Sequence, residues 1–315
     1  MTEDELLKLM LSHFIERYED LKRGKRLVHY TSAEAAIRII AGRQLWLRNA
    51  QVMNDFSEIQ HGISCIHAGW NTDGGKQLQT MLDSIEPGFR EQFANLFDRT
   101  ADSLKQDTYI ASLSEHCDSE DSYGRLSMWR AYGGRSGVAL VLNNTAFTTN
   151  TYPMRVFSIP VLYKDVDQFT RLFDKWARTI VAAQAALKGF NPGIIRDKLY
   201  GAFRAFALCM KHPGFAEERE WRVFHSPQFE GTSQWVEKSV EVVHGVPQVL
   251  IKLNLRDDLK EGISGVAPET LLNRVIIGPC QYPLQVHAAM VDVLKDAGIR
   301  NAENMISMSL IPIRH

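Results

Sequence analysis

The 315-residue chain has little of what marks the commonest specialised proteins. Its four cysteines, Cys65, Cys117, Cys209 and Cys280, stand far apart with no CxxC or other paired spacing. This argues against a structural zinc site or a disulfide framework and leaves reduced thiols. No apolar run approaches the roughly 18 uninterrupted residues that a membrane span needs. The opening MTEDELLKLMLSHFIERYEDLKRG is acidic and amphipathic, unlike a secretory signal with its basic head and apolar core, and a cytoplasmic protein is expected. A formal net charge of −1 supplies no global drive toward nucleic acid or an anionic membrane, so any such affinity must be local. The GxGxxG and GxxxxGK[ST] fingerprints are missing, as are HExxH and GxSxG. A nucleotide, if used, is held without the usual glycine-rich turns.

What is present suits a sizeable core: 45% of the residues are hydrophobic. Leu6, Leu7, Met10, Phe14 and Tyr18 recur at helical spacing, which predicts a leading helix within 1–24. LVHYT reads as a short strand, followed by an N-capped helix at Ser32 with Ala35, Ile39 and Ile40 turned inward. LWLRN, TYIASLSEH, GVALVLN, VFSIPVLY, REWRVFH and QVLIKLNL read as further strands, with a helical region at about 76–105. Residues 165–212 turn helical, with Phe169, Phe173, Trp176 and Ile180 in step, and 273–313 reads as strand, helix, strand. No Pro-, Gly- or Ser-rich boundary divides the chain, so one α+β domain with an N-terminal helix and a helical insertion is expected.

Polar clusters recur at the predicted strand ends: His29-Tyr30-Thr31, Asn54-Asp55 with Glu58, Ser114-Glu115, Trp129 with Tyr132, and Glu217, Glu218 and Glu220 with Arg222. Packing alone does not call for three polar-tipped side chains at the end of a buried strand, and a ligand cleft does. Each cluster also has a structural reading. A strand-end histidine is commonly a satisfied core group, Glu220 and Arg222 share a strand face and can simply pair, Asn54 or Asp55 can cap a helix, and Trp129 and Tyr132 can be core. Asp55, Glu58, Glu115 and Glu220 together suggest a metal-dependent nuclease as one alternative. Residues 151–212 hold ten Lys and Arg against four Asp, a local balance of +6. With Tyr163, Phe169, Trp176, Tyr200 and Phe203 interleaved, the stretch reads either as a nucleic-acid surface or as amphipathic helices whose aromatics are core.

In order, HYTS, LWL…NDFSE, SLSE, MWRAYG…SGVAL, EREWR and a closing IIG…SLIPIR resemble the bacterial family known as domain of unknown function 2971, over roughly 27–313. That resemblance implies a phage-defence or abortive-infection setting. HYTSAEAAIRIIAGRQLWL is also similar to the opening of ADP-ribosyltransferases of the His-Tyr-Glu class and of related DNA-modifying toxins. The second resemblance implies a mixed sheet of the ADP-ribosyltransferase fold, NAD as substrate and a nucleic-acid or protein acceptor. It also implies an antitoxin or defence-system partner. His29 would hold the NAD ribose beside Tyr30, Thr31, Ser114 and Arg222, and Trp129 or Tyr132 would stack on nicotinamide. Glu220 would meet the oxocarbenium charge that builds as the glycosidic bond breaks. A non-enzymatic nucleotide or phage-protein sensor is the further alternative.

Overall fold

The computed structural model describes residues 1–52, 55–243 and 245–312, without the side chains of Asp55 and Phe56. The expectations for Asn54 and for the Asp55 carboxylate therefore lie outside the described residues. The strands are β1 (Arg26–Ser32), β2 (Gln44–Asn49), β3 (Tyr109–His116), β4 (Ser136–Leu142), β5 (Phe157–Pro160), β6 (Leu162–Tyr163), β7 (Met210–Lys211), β8 (Glu220–His225), β9 (Val236–Val243), β10 (Val246–Asn254), β11 (Leu272–Cys280) and β12 (Ile306–Met308). The class is α+β with a mixed sheet. Contacts gather the chain into two compact units, one of residues 1–18, 49–108 and 159–217, the other of 19–48, 109–158 and 218–315.

The first unit is helical. It contains helices Glu3–Met10, Asp55–Trp70, Asp73–Ile85, Phe89–Gln106, Val166–Ala182 and Pro192–Leu208, and a two-stranded parallel pair of β6 and β7. The leading helix breaks at Leu11 and resumes at Ser12, so one expected helix is two. Thr2 and Glu5 form a capping box at its start, and Asp165 with Gln168 forms another at Val166–Ala182. Aromatic rings fill the interior. Phe93 and Phe203 meet edge to face at 4.9 Å, and the buried Trp176 donates from Nε1 to the Met10 carbonyl at 3.0 Å. Phe169, Trp176 and Phe203 are sealed in this core, which favours the amphipathic reading of 151–212 over a stacking surface.

The second unit carries the large sheet, in the order β12-β11-β4-β1-β3-β2-β10-β9, with β8 paired to β3 and β5 paired to β8 off that path. β11 and β12 run parallel, whereas β1 is antiparallel to both β3 and β4. Ser32 caps helix Ala33–Gly42 as its side chain accepts from Ala35 N–H at 3.2 Å, and Ile39 and Ile40 are buried. Strand β9 adds to the elements read from the sequence. It is an edge strand that leaves Val240 and Val242 exposed, so its apolar residues do not mark a buried face. Among the described residues no helix is long and apolar enough to cross a membrane.

Candidate functional site

The ladder registers decide which side chains can meet. Val28 pairs with Ser114, and Ser114 with Glu220; Ser112 pairs with Arg222. Directly paired residues in a sheet share a face and neighbours along a strand alternate. Val28, Tyr30, Ser112, Ser114, Glu220 and Arg222 therefore lie on one face. Leu27, His29, Thr31, Glu115, Trp221 and Val223 lie on the other. This corrects the expected His29–Glu220 pair. The imidazole and the carboxylate sit on opposite faces of one sheet, because the odd-numbered β1 positions and the even-numbered β8 positions point apart.

On the first face Glu220 is 3% and Arg222 0% exposed, and Arg222 Nε donates to Glu220 Oε1 at 3.0 Å. Here the structural reading of Glu220 holds: it is a sealed partner of a buried guanidinium. Tyr30 is buried too. Its hydroxyl accepts the Arg125 backbone N–H at 2.9 Å, and burial pushes its pKa up to about 12. Arg125 is the hub. Its guanidinium donates to Ser114 Oγ at 2.9 Å, to the Glu115 carbonyl at 2.8 Å and to Glu120 Oε1 at 3.1 Å. Burial alone would raise the Glu120 pKa, but the hydrogen bond and charge of Arg125 hold it below the ordinary carboxylate value. Arg219 also reaches Glu120 while its backbone takes the left-handed region at φ 45°. Its carbonyl accepts from Glu115 N–H at 2.9 Å. This twist separates Glu218 from the sealed Glu220.

Of the two candidate stacking rings, Trp129 is core. It is 3% exposed, packs edge to face on Tyr30 at 4.8 Å and donates from Nε1 to the Tyr123 carbonyl at 2.8 Å. Its ring lies so close to Gly124 and Gly278 that a Cβ at either would stand 2.7 Å from it. Tyr132 is 43% exposed, and its hydroxyl donates to Glu218 Oε1 at 3.1 Å. Glu218 is half-buried, and its own carbonyl accepts from Ser114 Oγ and Arg125. The helix Leu126–Tyr132 and the segment entering β8 thus present an aromatic ring and a carboxylate together at the surface, with the exposed Arg130 and Arg135 flanking Tyr132 in sequence. Glu218 was one of three acids in its cluster. Alternation along a single strand could not single it out, because the left-handed Arg219 interrupts it.

On the opposite face His29 is half-buried and its Nδ1 donates to the Ser112 carbonyl at 2.9 Å. The bond forms where β1 leaves β3, whose mutual pairing ends at Val28 and Ser114. Burial lowers the imidazole pKa, with the Ser112 bond opposing, so the neutral ring is favoured. His29 lines an apolar cavity of about 70 Å³ together with Leu140, Leu142, Val223, Leu253 and Met154. Thr31, half-buried and paired with Val138, shares this face but is not among the lining residues.

The alternative metal ligands are engaged elsewhere. Glu58 holds Lys211 at 3.1 Å in the helical unit. Glu115 holds Lys25 at 3.2 Å and accepts from Trp221 Nε1 at 3.2 Å in the sheet unit. Among the described residues no group of three or more His, Cys, Asp or Glu is arranged to hold a metal ion. No curated protein and no solved structure matched the chain. Residues 128–223, which include Trp129, Tyr132, Glu218, Glu220 and Arg222, match the model of the family described as Protein of unknown function (DUF2971), and this match supports the family expected from the motif order.

Proposed function

We propose that the sheet unit is a nucleotide-binding module that takes NAD at the Tyr132–Glu218 lip, the base or nicotinamide stacking on the exposed ring and the exposed arginines Arg130 and Arg135 meeting phosphate. One observation carries the reading: the Tyr132 hydroxyl holds the Glu218 carboxylate at 3.1 Å while 43% of the residue stays open to solvent. Aromatic stacking beside cationic side chains is the chemistry that recognises a nucleotide without a glycine-rich loop. The ADP-ribosyltransferase reading extends it. In that reading Glu218, rather than Glu220, supplies the negative charge next to a developing oxocarbenium ion. A role in phage defence, an acceptor in nucleic acid or protein, and a restraining antitoxin follow from the family resemblance and would act through this lip.

The test is calorimetric titration of the purified protein with NAD, alongside a measurement of nicotinamide release. Binding should be lost in Tyr132→Ala. Glu218→Gln should keep binding and lose any nicotinamide release. Saturable binding with no release in the wild type leaves a sensor and removes the transferase. Absence of NAD binding, or binding that Tyr132→Ala leaves intact, removes the lip as the site.

A further inference from the structure

The cavity on the His29 face lies across the sheet from the lip and stands independently of it. We propose that it is a binding site for a small, neutral, mostly hydrocarbon molecule with one hydroxyl group, a phenol or a short alcohol, whose hydroxyl donates to His29 Nε2. Its walls come from many separate segments of the unit, Leu140 and Leu142 on β4, Val223 on β8, Leu253 on β10 and Phe157 on β5 among them. A cavity assembled from so many elements is pre-formed, and apolar cavities of this kind stay dry and take up small hydrophobic molecules.

The polar groups on the lining set the ligand's chemistry. None of the lining residues is an Asp, Glu, Lys or Arg, so a charged guest would lose its hydration with nothing to replace it. His29, Thr151 and Ser158 are the polar side chains on the wall. The Nδ1–H of His29 is committed to the Ser112 carbonyl at 2.9 Å, which leaves Nε2 as the acceptor of the neutral ring. Ser158 Oγ is buried with no hydrogen-bond partner. Such a hydroxyl normally finds one, and a guest oxygen that donates to His29 still has lone pairs for Ser158 to reach. A volume of about 70 Å³ holds roughly five waters, which limits the guest to a single ring or a short chain.

The experiment uses the full chain and two probes of nearly the same shape, phenol and toluene, titrated by ligand-observed NMR. Wild type should bind both. In His29→Leu the ratio of phenol to toluene affinity should fall about 5- to 10-fold, the size of one neutral hydrogen bond. Ala146→Leu, which adds volume at a lining position, should weaken both probes. A second measurement avoids reliance on a folded variant: in wild type labelled with ¹⁵N, the His29 Nε2 resonance should shift upfield with phenol and stay in place with toluene. No binding of either probe, binding unchanged by Ala146→Leu, or an Nε2 resonance indifferent to phenol would each overturn the proposal.

Discussion

Replacing Glu220 with glutamine separates a structural carboxylate from a catalytic one. Arg222 is fully buried and its Nε donates to Glu220 Oε1 at 3.0 Å, with the Glu220 side chain only 4% exposed. Glutamine at 220 takes a negative charge away from a guanidinium held in a low-dielectric interior, and breaking a buried pair of this kind costs up to about 3–5 kcal/mol. For a protein of this size that corresponds to a fall in Tm on the order of 10 °C. Replacing both residues together, Glu220→Leu with Arg222→Met, should recover much of the loss, because apolar residues of similar volume avoid the desolvation of both charges. The assay is urea unfolding of wild type, both single variants and the double variant, with coupling read from the cycle. Glu218→Gln, at a half-buried surface position, should change stability by less than about 1 kcal/mol. A Glu220→Gln protein as stable as wild type would refute this reasoning.

Three further outcomes are read by the same unfolding measurement. Gly278→Ala places a Cβ 2.7 Å from the Trp129 ring and should destabilise by about 1–3 kcal/mol through overpacking, seen as a lower urea midpoint. Tyr30→Phe removes the oxygen that accepts the buried Arg125 N–H at 2.9 Å; the orphaned donor should cost about 1–3 kcal/mol by the same measurement. His13, His29 and His116 all have folded pKa values lowered from 6.5, chiefly by burial. The unfolded chain therefore binds more protons than the folded one just below that pH. Their contribution is intact above about pH 6.5 and stability falls as pH drops through the window between the unfolded and folded values. Urea midpoints at pH 7.5, 6.5 and 5.5 should decline, and His116→Gln should flatten the slope. A rising midpoint would contradict the burial of these rings.

Much of the architecture was legible along the chain because periodicity and capping are local. Ser32 capping Ala33–Gly42, the alternating β3, the apolar β4 and the helical stretch from 165 follow from residues within a few positions of one another. Edge strand β9 escaped that logic, since an edge needs no buried alternate face. The motifs also fall on the segments that carry the proposed lip. HYTS, SLSE, MWRAYG and EREWR supply the strands and the helix that surround it in the sheet unit.

The sequence by itself therefore determined the class, most of the strands and the residues rich enough in chemistry to matter. Only the tertiary structure decided who faces whom. A one-residue difference in register reverses the face of every side chain on a strand, and the pairings of Val28 with Ser114 and of Ser114 with Glu220 place His29 across the sheet from Glu220. The left-handed backbone at Arg219 likewise gives adjacent acids opposite fates, Glu218 held by Tyr132 at the surface and Glu220 sealed against Arg222. Neither outcome is encoded in local spacing, because both depend on which strand lies alongside.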